Sequence, residues 1–354
     1  MCIRDSSWTA GGLYDRIQAS RSDRELFLLH DGPPFANGDV HVGTAGNKIL
    51  KDFIIKYTTL RGKRVPYVPG WDCHGLPIEF KVVQQMRKEG ANMDDVAAIR
   101  TACEAYARKY IDLQREQFKR LGVLGEWDKP YLTLDKSYEA AELRLFADLI
   151  DQGFVYRGKK PVYWSIPCQT ALAEAEVEYG DHISPSIYVK FKLKGEPNTF
   201  VLIWTTTPWT LPANMAVAFN PKLQYTQIQV GDASYIVSVG LLDGLVETMQ
   251  WGDYQIIRSL DGDQLASLEY EHPFCDRSGR LYPADFVEDT AGTGFVHIAP
   301  GHGLEDYGLG MQVGLAIYSP VDDKGCLAYT QDLPIEAQMP DALLGRSILE
   351  KKGN

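Results

Sequence analysis

The sequence of 354 residues predicts a mixed α/β protein in two parts, an α/β domain followed by a β-rich domain. Its length corresponds to about two domains at roughly 150 residues each, or to one domain that carries a large insertion. Near the N-terminus a short apolar run, a glycine-bearing loop and an amphipathic helical pattern follow one another. Beyond Ser184 the pattern changes to short alternating runs broken by Pro, Gly and Asp. We therefore expect the α/β domain over residues 1–165, a connection over 166–183 and the β-rich domain over 184–354.

The first strand and helix are predicted between Glu25 and Gly62. The run ELFLLH, from Glu25 to His30, is expected to form a short buried strand, and the turn-rich DGPPFANGD after it favours neither helix nor sheet. A helix follows, because apolar residues recur at spacings of three and four until Gly62 ends the pattern. The predicted buried face consists of Val42, Ala45, Ile49, Phe53 and Tyr57.

Three further helices are predicted from Leu76 to Lys88, from Asp94 to Leu121 and from Ser137 to Gln152. The strands of the second domain are predicted from the runs IYVKFKL, NTFVLIWTTT, YTQIQV and SYIVSV. They alternate apolar and polar residues or form short apolar runs, and turn residues separate them. This order, helices first and strands afterwards, indicates two separate domains.

Composition excludes several classes of protein. Hydrophobic residues make up 45% and charged residues 23%, which excludes collagen-like, coiled-coil and wholly disordered chains. The formal net charge of −11 argues against a protein that coats nucleic acid, so any RNA contact is restricted to a local basic patch. No apolar run approaches the roughly 18 residues of a membrane helix. We expect a soluble protein with no membrane partner and no obligate protein partner.

The six cysteines occur singly, with no C-x-x-C pair. This spacing fits neither a disulfide framework nor a four-thiolate zinc site. The N-terminus has no apolar stretch that ends in a cleavage site for secretion. A reducing, cytoplasmic setting is therefore expected.

The segment from His30 to Thr44, HDGPPFANGDVHVGT, is the first candidate ligand site. A strand that leads into a glycine-bearing turn and a helix N-terminus gathers free backbone N–H groups and the positive end of a helix dipole, which favour a phosphate. His41 beside Gly43 adds a hydrogen-bond donor for a polyphosphate oxygen, so ATP is the expected ligand. On these residues alone, an ordinary turn with a capping histidine is the alternative.

Three strings in fixed order carry a family resemblance: HDGPPFANG, then NKILKD at 47–52, then VPGWDCHGLPIE at 68–79. Together they resemble the isoleucyl branch of the class I aminoacyl-tRNA synthetases, with the valyl and leucyl branches as alternatives. The resemblance implies the first half of a Rossmann-type catalytic domain with an inserted editing domain. It implies ATP with its Mg²⁺, isoleucine and tRNA-Ile as substrates and partners. The fourth position of the family's HIGH motif is Thr44, which cannot carry charge.

The resemblance also implies roles for individual residues. His41 and Thr44 are expected to be catalytic, and Asp72 to bind the ammonium group of the amino acid. Pro33 and Phe35 are expected to line the pocket for its aliphatic side chain. The residues expected to bind ATP are Gly38, His41, Gly43 and Thr44.

A second candidate site joins WTTTPWTLPAN, at 204–214, to GTGFVHIAPGHGLEDYGLG, at 292–310. Residues alternate faces along a strand, so one or two of the three threonine hydroxyls must point away from the core. A metal site built from His297, His302, Glu305 and Asp306 is less favoured, because no spacing matches a metalloprotease helix and two glycines interrupt the loop.

Both strings resemble the editing domain of isoleucyl, valyl and leucyl synthetases, which hydrolyses mischarged tRNA. The resemblance implies that Asp306 binds the α-amino group and that His297 shapes a pocket for valine. Ester, ribose or water contacts are expected from Thr205, Thr206, Thr207 and Asn214. Some relatives carry cysteine pairs near 161–179, where this chain has Ser165 and Cys168, so we expect no zinc.

The family's KMSKS loop and anticodon-binding helices do not occur in this sequence. We therefore expect a truncated piece of a ligase that cannot form the adenylate alone, which ATP–pyrophosphate exchange would test. The alternatives are a free-standing editing hydrolase and a non-catalytic remnant. The long HDGPPFANG unit argues against the hydrolase.

Overall fold

The computed structural model describes residues 7–349, which form two compact units divided after Tyr156. The opening MCIRDS, for which the sequence predicts a disordered start, lies outside these residues. The sequence analysis placed the end of the first domain at 165, whereas residues 157–165 belong to the second unit. The mixed α/β class is confirmed. In the part of the chain that the structure describes, no helix is long and apolar enough to cross a membrane.

The first unit is mostly helical, with one pair of two-residue parallel strands. Its buried core includes Tyr67, Trp71, Ile78, Ile111 and Phe118. The predicted helices are confirmed to within one or two residues at their ends. In chain order the elements are α1 (Leu13–Ala19), α2 (Val42–Leu60), β1 (Gly70–Trp71), α3 (Leu76–Lys88), α4 (Val96–Arg120), β2 (Tyr131–Leu132) and α5 (Lys136–Asp151).

The predicted strand at ELFLLH is wrong. Only an isolated parallel bridge forms there, between Leu26 and Arg64, and the rest of the run has no regular structure. Phe27 and Leu29 pack on the core of the unit, but Leu26 and Leu28 remain 53% and 69% exposed. Side chains of an extended segment point alternately to two faces. Residues within 7–349 cover the face of Phe27 and Leu29 and leave the other face exposed.

The predicted buried face of α2 is also wrong. Val42, Phe53 and Tyr57 are exposed, and the buried positions of the helix are Lys48, Asp52, Ile55 and Thr59. This face can be buried because Lys48 pairs with the buried Asp31, and Asp52 pairs with Lys56 on the same helix and accepts a hydrogen bond from Leu124 N. Apolar periodicity cannot detect such pairing, because the partner of Lys48 lies in a different segment of the chain.

The second unit is built on a nine-stranded mixed sheet, which confirms the predicted β-rich domain. Its strands are β5 (Ile187–Leu193), β6 (Thr199–Thr205), β7 (Ala216–Phe219), β8 (Tyr225–Val230), β9 (Ala233–Ser238), β10 (Tyr254–Leu260), β11 (Glu269–Glu271), β12 (Ser278–Pro283) and β13 (Phe295–Ile298). Their order in the sheet is β10-β8-β9-β6-β5-β11-β12-β7-β13. Among the described residues, only the β6–β9 and β12–β7 pairs of this sheet are parallel.

Shorter elements complete the second unit. A hairpin of β3 (Tyr163–Ser165) and β4 (Thr170–Leu172) precedes the large sheet. The helices are α6 (Leu242–Thr248), α7 (Gly262–Ala266) and α8 (Leu304–Val313). Pro208–Ala213 forms a 3₁₀ turn directly after β6. A cluster that includes Phe191, Ile203, Phe219, Tyr270 and Phe295 forms the main core.

Gly279 on β12 allows the close packing of Tyr270 in this core. A Cβ atom at Gly279 would lie 2.2 Å from the Tyr270 hydroxyl, which is shorter than any non-bonded contact. Tyr270 is 1% exposed, and its hydroxyl donates a 2.6 Å hydrogen bond to Oδ1 of Asn214. The glycine therefore provides the space that this buried ring occupies.

Candidate functional site

The first candidate site is a loop, residues 31–41, that side chains of α4 hold in place. Gln114 donates to the carbonyls of Phe35 and Gly38 at 3.2 and 2.9 Å and accepts 2.9 Å from the Trp71 indole. Gln117 accepts from Val40 N at 2.8 Å. These bonds order a loop that has no regular secondary structure of its own.

The backbones of Asp72 and Phe35, two residues of the predicted amino-acid pocket, pair with each other. Asp72 N donates to Pro34 O and Ala36 N donates to Asp72 O, both at 2.9 Å. The Asp72 carboxylate is half-buried and accepts one 3.3 Å bond, from His74 N. No Lys, Arg or His of residues 7–349 forms an ion pair with it, so the carboxylate can accept an ammonium group.

The Phe35 ring is 45% exposed, and Pro33 is partly buried two residues before it. Both therefore present apolar surface on the loop that pairs with Asp72. This placement agrees with an aliphatic pocket beside the carboxylate, although the side-chain roles stay predictions.

His41 is the N-cap of α2, where the helix N-terminus was predicted. Its Nδ1 accepts a 3.1 Å hydrogen bond from Gly43 N. In the neutral ring the proton must therefore sit on Nε2, which leaves an exposed donor. Gly43 allows this arrangement, because a Cβ there would lie 2.9 Å from the His41 ring. Gly38 turns the preceding loop with a φ of +75°.

The Thr44 hydroxyl is engaged in the cap of α2, and its predicted catalytic and ATP-binding roles stay predictions. Its hydroxyl donates to His41 O at 2.9 Å and accepts from His41 N at 3.0 Å, which completes a capping box. A hydroxyl has a single proton, and here it is already used. Thr44 therefore stabilises the start of the helix and is not free to donate to a phosphate oxygen.

Beneath this loop lies a buried charged cluster that the sequence analysis missed. Asp31, whose side chain is fully buried, accepts from Lys48 Nζ, from Lys51 Nζ at 2.8 Å and from Gly70 N at 2.9 Å. Burial opposes ionisation, but Lys48 and the hydrogen bonds hold the pKa of Asp31 below its ordinary value. Burial lowers the pKa of Lys48, against the effect of Asp31. Asp31 thus joins the loop, α2 and β1.

The sequence contained a signal for the contacts that Gln114 makes with the loop at 31–41 and with Trp71. Gln114 occupies a buried position on the stripe that α4 otherwise fills with Ala107, Ile111 and Phe118. A polar residue on an apolar stripe has to find partners, and here the partners belong to the candidate site.

The second candidate site lies where β6 ends. Thr205 is buried, and its hydroxyl accepts from Thr207 N at 3.1 Å. Thr206 and Thr207 are exposed. The 3₁₀ turn that follows brings Thr210 to His297 on β13, with 3.0 Å between Thr210 Oγ1 and His297 Nε2. The two predicted strings are thereby brought together.

His297 and His302 are neutral groups in this site. Burial, with a smaller effect of His302, lowers the pKa of His297 to about 4. Burial lowers the pKa of His302 to about 4 as well, and its ring packs edge-on against Trp209 at 5.0 Å. Nδ1 of His297 and Nε2 of His302 are buried without a hydrogen-bond partner among residues 7–349.

Asp306 lies at the start of α8, and its Oδ2 accepts a 2.8 Å hydrogen bond from Ala299 N, just after β13. Burial raises the pKa of Asp306 to about 6, against the lowering effect of this hydrogen bond. The carboxylate is therefore ionised at neutral pH, but burial makes its ionised form less favourable than it would be in water. A perturbed carboxylate of this kind is typical of a ligand-binding group.

Asn214 does not join the ligand-facing groups. It is 1% exposed, it accepts from the Tyr270 hydroxyl, and its amide donates to Ala216 O at 2.8 Å. The side chain is thus engaged by the protein and stabilises the start of β7. The expected contact of Asn214 to ester, ribose or water stays a prediction.

Two residues that the sequence analysis missed, Arg277 and His272, contact carbonyl oxygens of the 3₁₀ turn. Arg277 donates to the carbonyls of Pro212 and Asn214. His272 lies with Nε2 at 3.0 Å from Leu211 O, while its Nδ1 accepts from Cys275 N. Burial, assisted by Arg277, lowers the pKa of His272 to about 3, so its role is that of a neutral hydrogen-bonding group.

Neither site contains a metal cage within the described residues. No group of three His, Cys, Asp or Glu side chains in residues 7–349 is placed to hold a metal ion. The cluster of His297, His302, Glu305 and Asp306 is therefore not arranged for a metal. The absence of zinc stays a prediction.

Comparison with known proteins identifies the class. Residues 4–251 match the family model described as tRNA synthetases class I (I, L, M and V). The chain therefore belongs to the class I tRNA synthetase family, whose Rossmann-type catalytic domain with a β-rich insertion accounts for the fold.

The similar curated proteins are isoleucine–tRNA ligases. The chain is 52% identical to that of Kosmotoga olearia over 90% of its own length and 34% of the relative. It is 51% identical to the ligase of Thermotoga maritima, with 90% and 35% covered. A solved leucyl-tRNA synthetase complex from Agrobacterium radiobacter K84 is 20% identical, with a TM-score of 0.43 over 94% of this chain and 45% of that one. The chain thus spans about a third of the length of these ligases.

Proposed function

We propose that the first unit carries the amino-acid and ATP site of an isoleucine–tRNA ligase. The observation that supports the proposal is the backbone pairing of Phe35 with Asp72, because the half-buried Asp72 carboxylate then lies beside the loop that leads to the His41 cap. The isoleucine–tRNA ligases at about half identity support isoleucine over the valyl and leucyl alternatives.

In the proposed reaction the isoleucine carboxylate attacks the α-phosphorus of ATP, the bond to pyrophosphate breaks, and the adenylate forms. Asp72 holds the ammonium group, so that the carboxylate faces the helix N-terminus. The Nε2–H of His41 and the free N–H groups of α2 stabilise charge on the phosphate oxygens. Mg²⁺ bound with ATP neutralises further phosphate charge. Transfer of the acyl group to the terminal ribose of tRNA-Ile follows.

Calorimetric titration of the chain with isoleucyl-sulfamoyl-adenosine, an unreactive adenylate mimic, tests this site. Asp72→Asn is expected to weaken binding about tenfold or more, because a charge-assisted hydrogen bond is lost. Asp128→Asn, which changes an exposed carboxylate of the same unit, is the control. Equal binding by Asp72→Asn, or tighter binding of the valyl or leucyl mimic, would overturn the assignment.

We also propose that the second unit hydrolyses valyl-tRNA. In this proposal Asp306 binds the α-ammonium group, His297 limits the side-chain pocket, and Thr205, Thr206 and Thr207 surround the ester. Valine lacks one methylene of isoleucine, and a binding site discriminates only weakly against a substrate that is smaller by one methylene. Isoleucyl enzymes are the standing example of this limit. A second, smaller pocket that hydrolyses the valyl ester is therefore required. The ionised, half-buried carboxylate of Asp306 supports an ammonium-binding role.

Deacylation of valyl-tRNA and isoleucyl-tRNA by the chain tests the editing proposal. We expect hydrolysis of the valyl ester in preference to the isoleucyl ester, and loss of that activity in Asp306→Ala. Glu305→Ala, at the exposed neighbouring position of α8, is the matched control and should retain it. Undiminished hydrolysis by Asp306→Ala would remove Asp306 from the site.

For the cellular setting we propose the cytoplasm. The supporting observation is that Cys73, Cys103, Cys168, Cys275 and Cys326 are all free thiols. Cysteines that remain free thiols agree with a reducing compartment.

A further inference from the structure

Thr210, which no sequence pattern selected, is the residue that contacts the His297 imidazole. It is 6% exposed and lies within the 3₁₀ turn after β6. Its hydroxyl donates to Thr207 O at 2.8 Å, and the same oxygen lies 3.0 Å from Nε2 of His297. Thr210 therefore stands between the threonine segment and β13.

These two contacts fix the position of the imidazole proton. A carbonyl oxygen can only accept, so the one hydroxyl proton of Thr210 is directed to Thr207 O. A hydrogen bond between Thr210 Oγ1 and Nε2 then requires the proton on Nε2. The low pKa of His297 keeps the ring neutral at pH 7, so Nδ1 carries no proton.

The alternative tautomer, with the proton on Nδ1, allows fewer hydrogen bonds among the same atoms. If the Thr210 hydroxyl donated to Nε2, its bond to Thr207 O would be lost and the buried Nδ1 would become an N–H without an acceptor. The Nε2–H tautomer therefore makes one more hydrogen bond, and its buried Nδ1 is an unpaired acceptor where the alternative has an unpaired N–H donor.

We infer that Thr210 is a positioning residue that locks His297 in the Nε2–H tautomer and so presents Nδ1 as a buried acceptor for an O–H group of the ligand. The group is either the attacking water or a free ribose hydroxyl of the aminoacylated adenosine. The role in hydrolysis rests on the proposed editing function, whereas the tautomer is a property of the unliganded chain. Buried acceptors without a partner are uncommon in folded proteins, and a bound O–H group would satisfy this one.

Nitrogen NMR of the uniformly ¹⁵N-labelled chain at pH 7 tests the tautomer without any ligand. The His297 ring is assigned by comparison with His297→Gln. We expect a protonated Nε2 and a bare Nδ1 in the unsubstituted chain and in Thr210→Ser, which keeps the hydroxyl. Thr210→Val has the same shape without the hydroxyl, and its Nε2 and Nδ1 resonances should move toward each other as both tautomers become populated. A protonated Nδ1 in the unsubstituted chain, or no shift in Thr210→Val, would overturn the inference.

Kinetics of valyl-tRNA hydrolysis give a second readout. Thr210→Val should lower kcat about tenfold with little change in KM, and Thr210→Ser should restore kcat to within about threefold. If the unsubstituted chain does not hydrolyse valyl-tRNA, the editing proposal fails, and the tautomer measurement still decides the role of Thr210. An unchanged kcat in a Thr210→Val chain whose tautomer has shifted would overturn the acceptor role.

Titration with an unreactive valyl-amino-adenosine, with and without its free ribose hydroxyl, identifies the donor. A shift of the Nδ1 resonance with both compounds indicates water, and a shift only with the hydroxyl-bearing compound indicates the ribose. Amide resonances of residues 299–306 report binding separately. Binding of both compounds with no change at Nδ1 would overturn the acceptor role.

Discussion

The two candidate sites handle charge in opposite ways. In the first unit the buried charges, Asp31 and Lys48, lie beneath the loop, while the candidate ligand groups His41 and Asp72 reach its surface. In the second unit the candidate ligand groups His297 and Asp306 are buried and half-buried themselves, and burial lowers the pKa of His297 and raises that of Asp306. Substitutions should therefore separate folding from ligand binding in the first unit but affect both together in the second.

The largest expected effect is that of Lys48→Met in the first unit. Removal of this ammonium group leaves the Asp31 carboxylate buried with only Lys51 as a cationic partner, which should lower the free energy of unfolding by about 3–5 kcal/mol. Urea unfolding followed by hydrogen exchange of peptides from α2 and α4 measures the change in this unit.

The matched control is Lys63→Met, which removes an ion pair with Glu25 that is exposed on both sides. It should change the free energy of unfolding by less than about 1 kcal/mol. A loss for Lys48→Met no larger than that of this control would show that the buried cluster does not hold the loop.

The next effect is a gain of stability in the second unit. Asp306→Asn should raise the free energy of unfolding by about 2–3 kcal/mol at pH 8, because the raised pKa means that folding disfavours the ionised carboxylate. The folded chain binds the proton more tightly than the unfolded chain between about pH 4 and pH 6. The stability of the unsubstituted unit therefore falls as the pH rises through this window, and the advantage of Asp306→Asn disappears near pH 4.

Hydrogen exchange of peptides from β13 and α8, measured at pH 4 and pH 8, checks this expectation. Glu305→Gln, at the exposed neighbouring carboxylate, should show a much smaller pH-dependent difference, because burial raises the pKa of Asp306 more than the charge of Glu305 does. A destabilised Asp306→Asn at pH 8 would mean that the carboxylate is a structural group like Asp31, and the contrast between the two sites would be lost.

The smallest effect is expected for Thr44→Val, which removes the capping box of α2. The free energy of unfolding should fall by about 1 kcal/mol, while the affinity for isoleucyl-sulfamoyl-adenosine stays within about threefold. Thr44→Ser retains the cap and serves as the control. A loss of affinity of tenfold or more in Thr44→Val, without a comparable loss in stability, would return Thr44 to the phosphate-binding residues.

Local patterns predicted most of the fold. The helices from Val42 to Asp151 were predicted because capping residues, glycines and apolar spacing are all local properties. The β-rich unit was predicted from alternation and turn residues. The buried face of α2 could not be predicted in the same way, because Lys48 is buried by a partner seventeen positions earlier in the chain.

The sites were predicted mainly through the family strings. Those strings selected Asp72, His41 and His297, but they could not show that the Asn214 amide is used by Tyr270 or that the Thr44 proton is used by His41. Gln114, Arg277 and Thr210 were missed because their roles depend on contacts across long sequence separations. Single-residue chemistry suggests candidates, and only the hydrogen-bond partners show which groups remain free.

The absence of a side chain at Gly279 has a consequence for any attempt to alter the second candidate site. Substitution there would displace the Tyr270 phenol, which holds Asn214 at the end of the turn that carries Thr210. A change on β12 would thus reach the second site through the Tyr270 ring and its hydrogen bond to Asn214, without contacting a ligand. Variant libraries restricted to pocket-lining positions would overlook it.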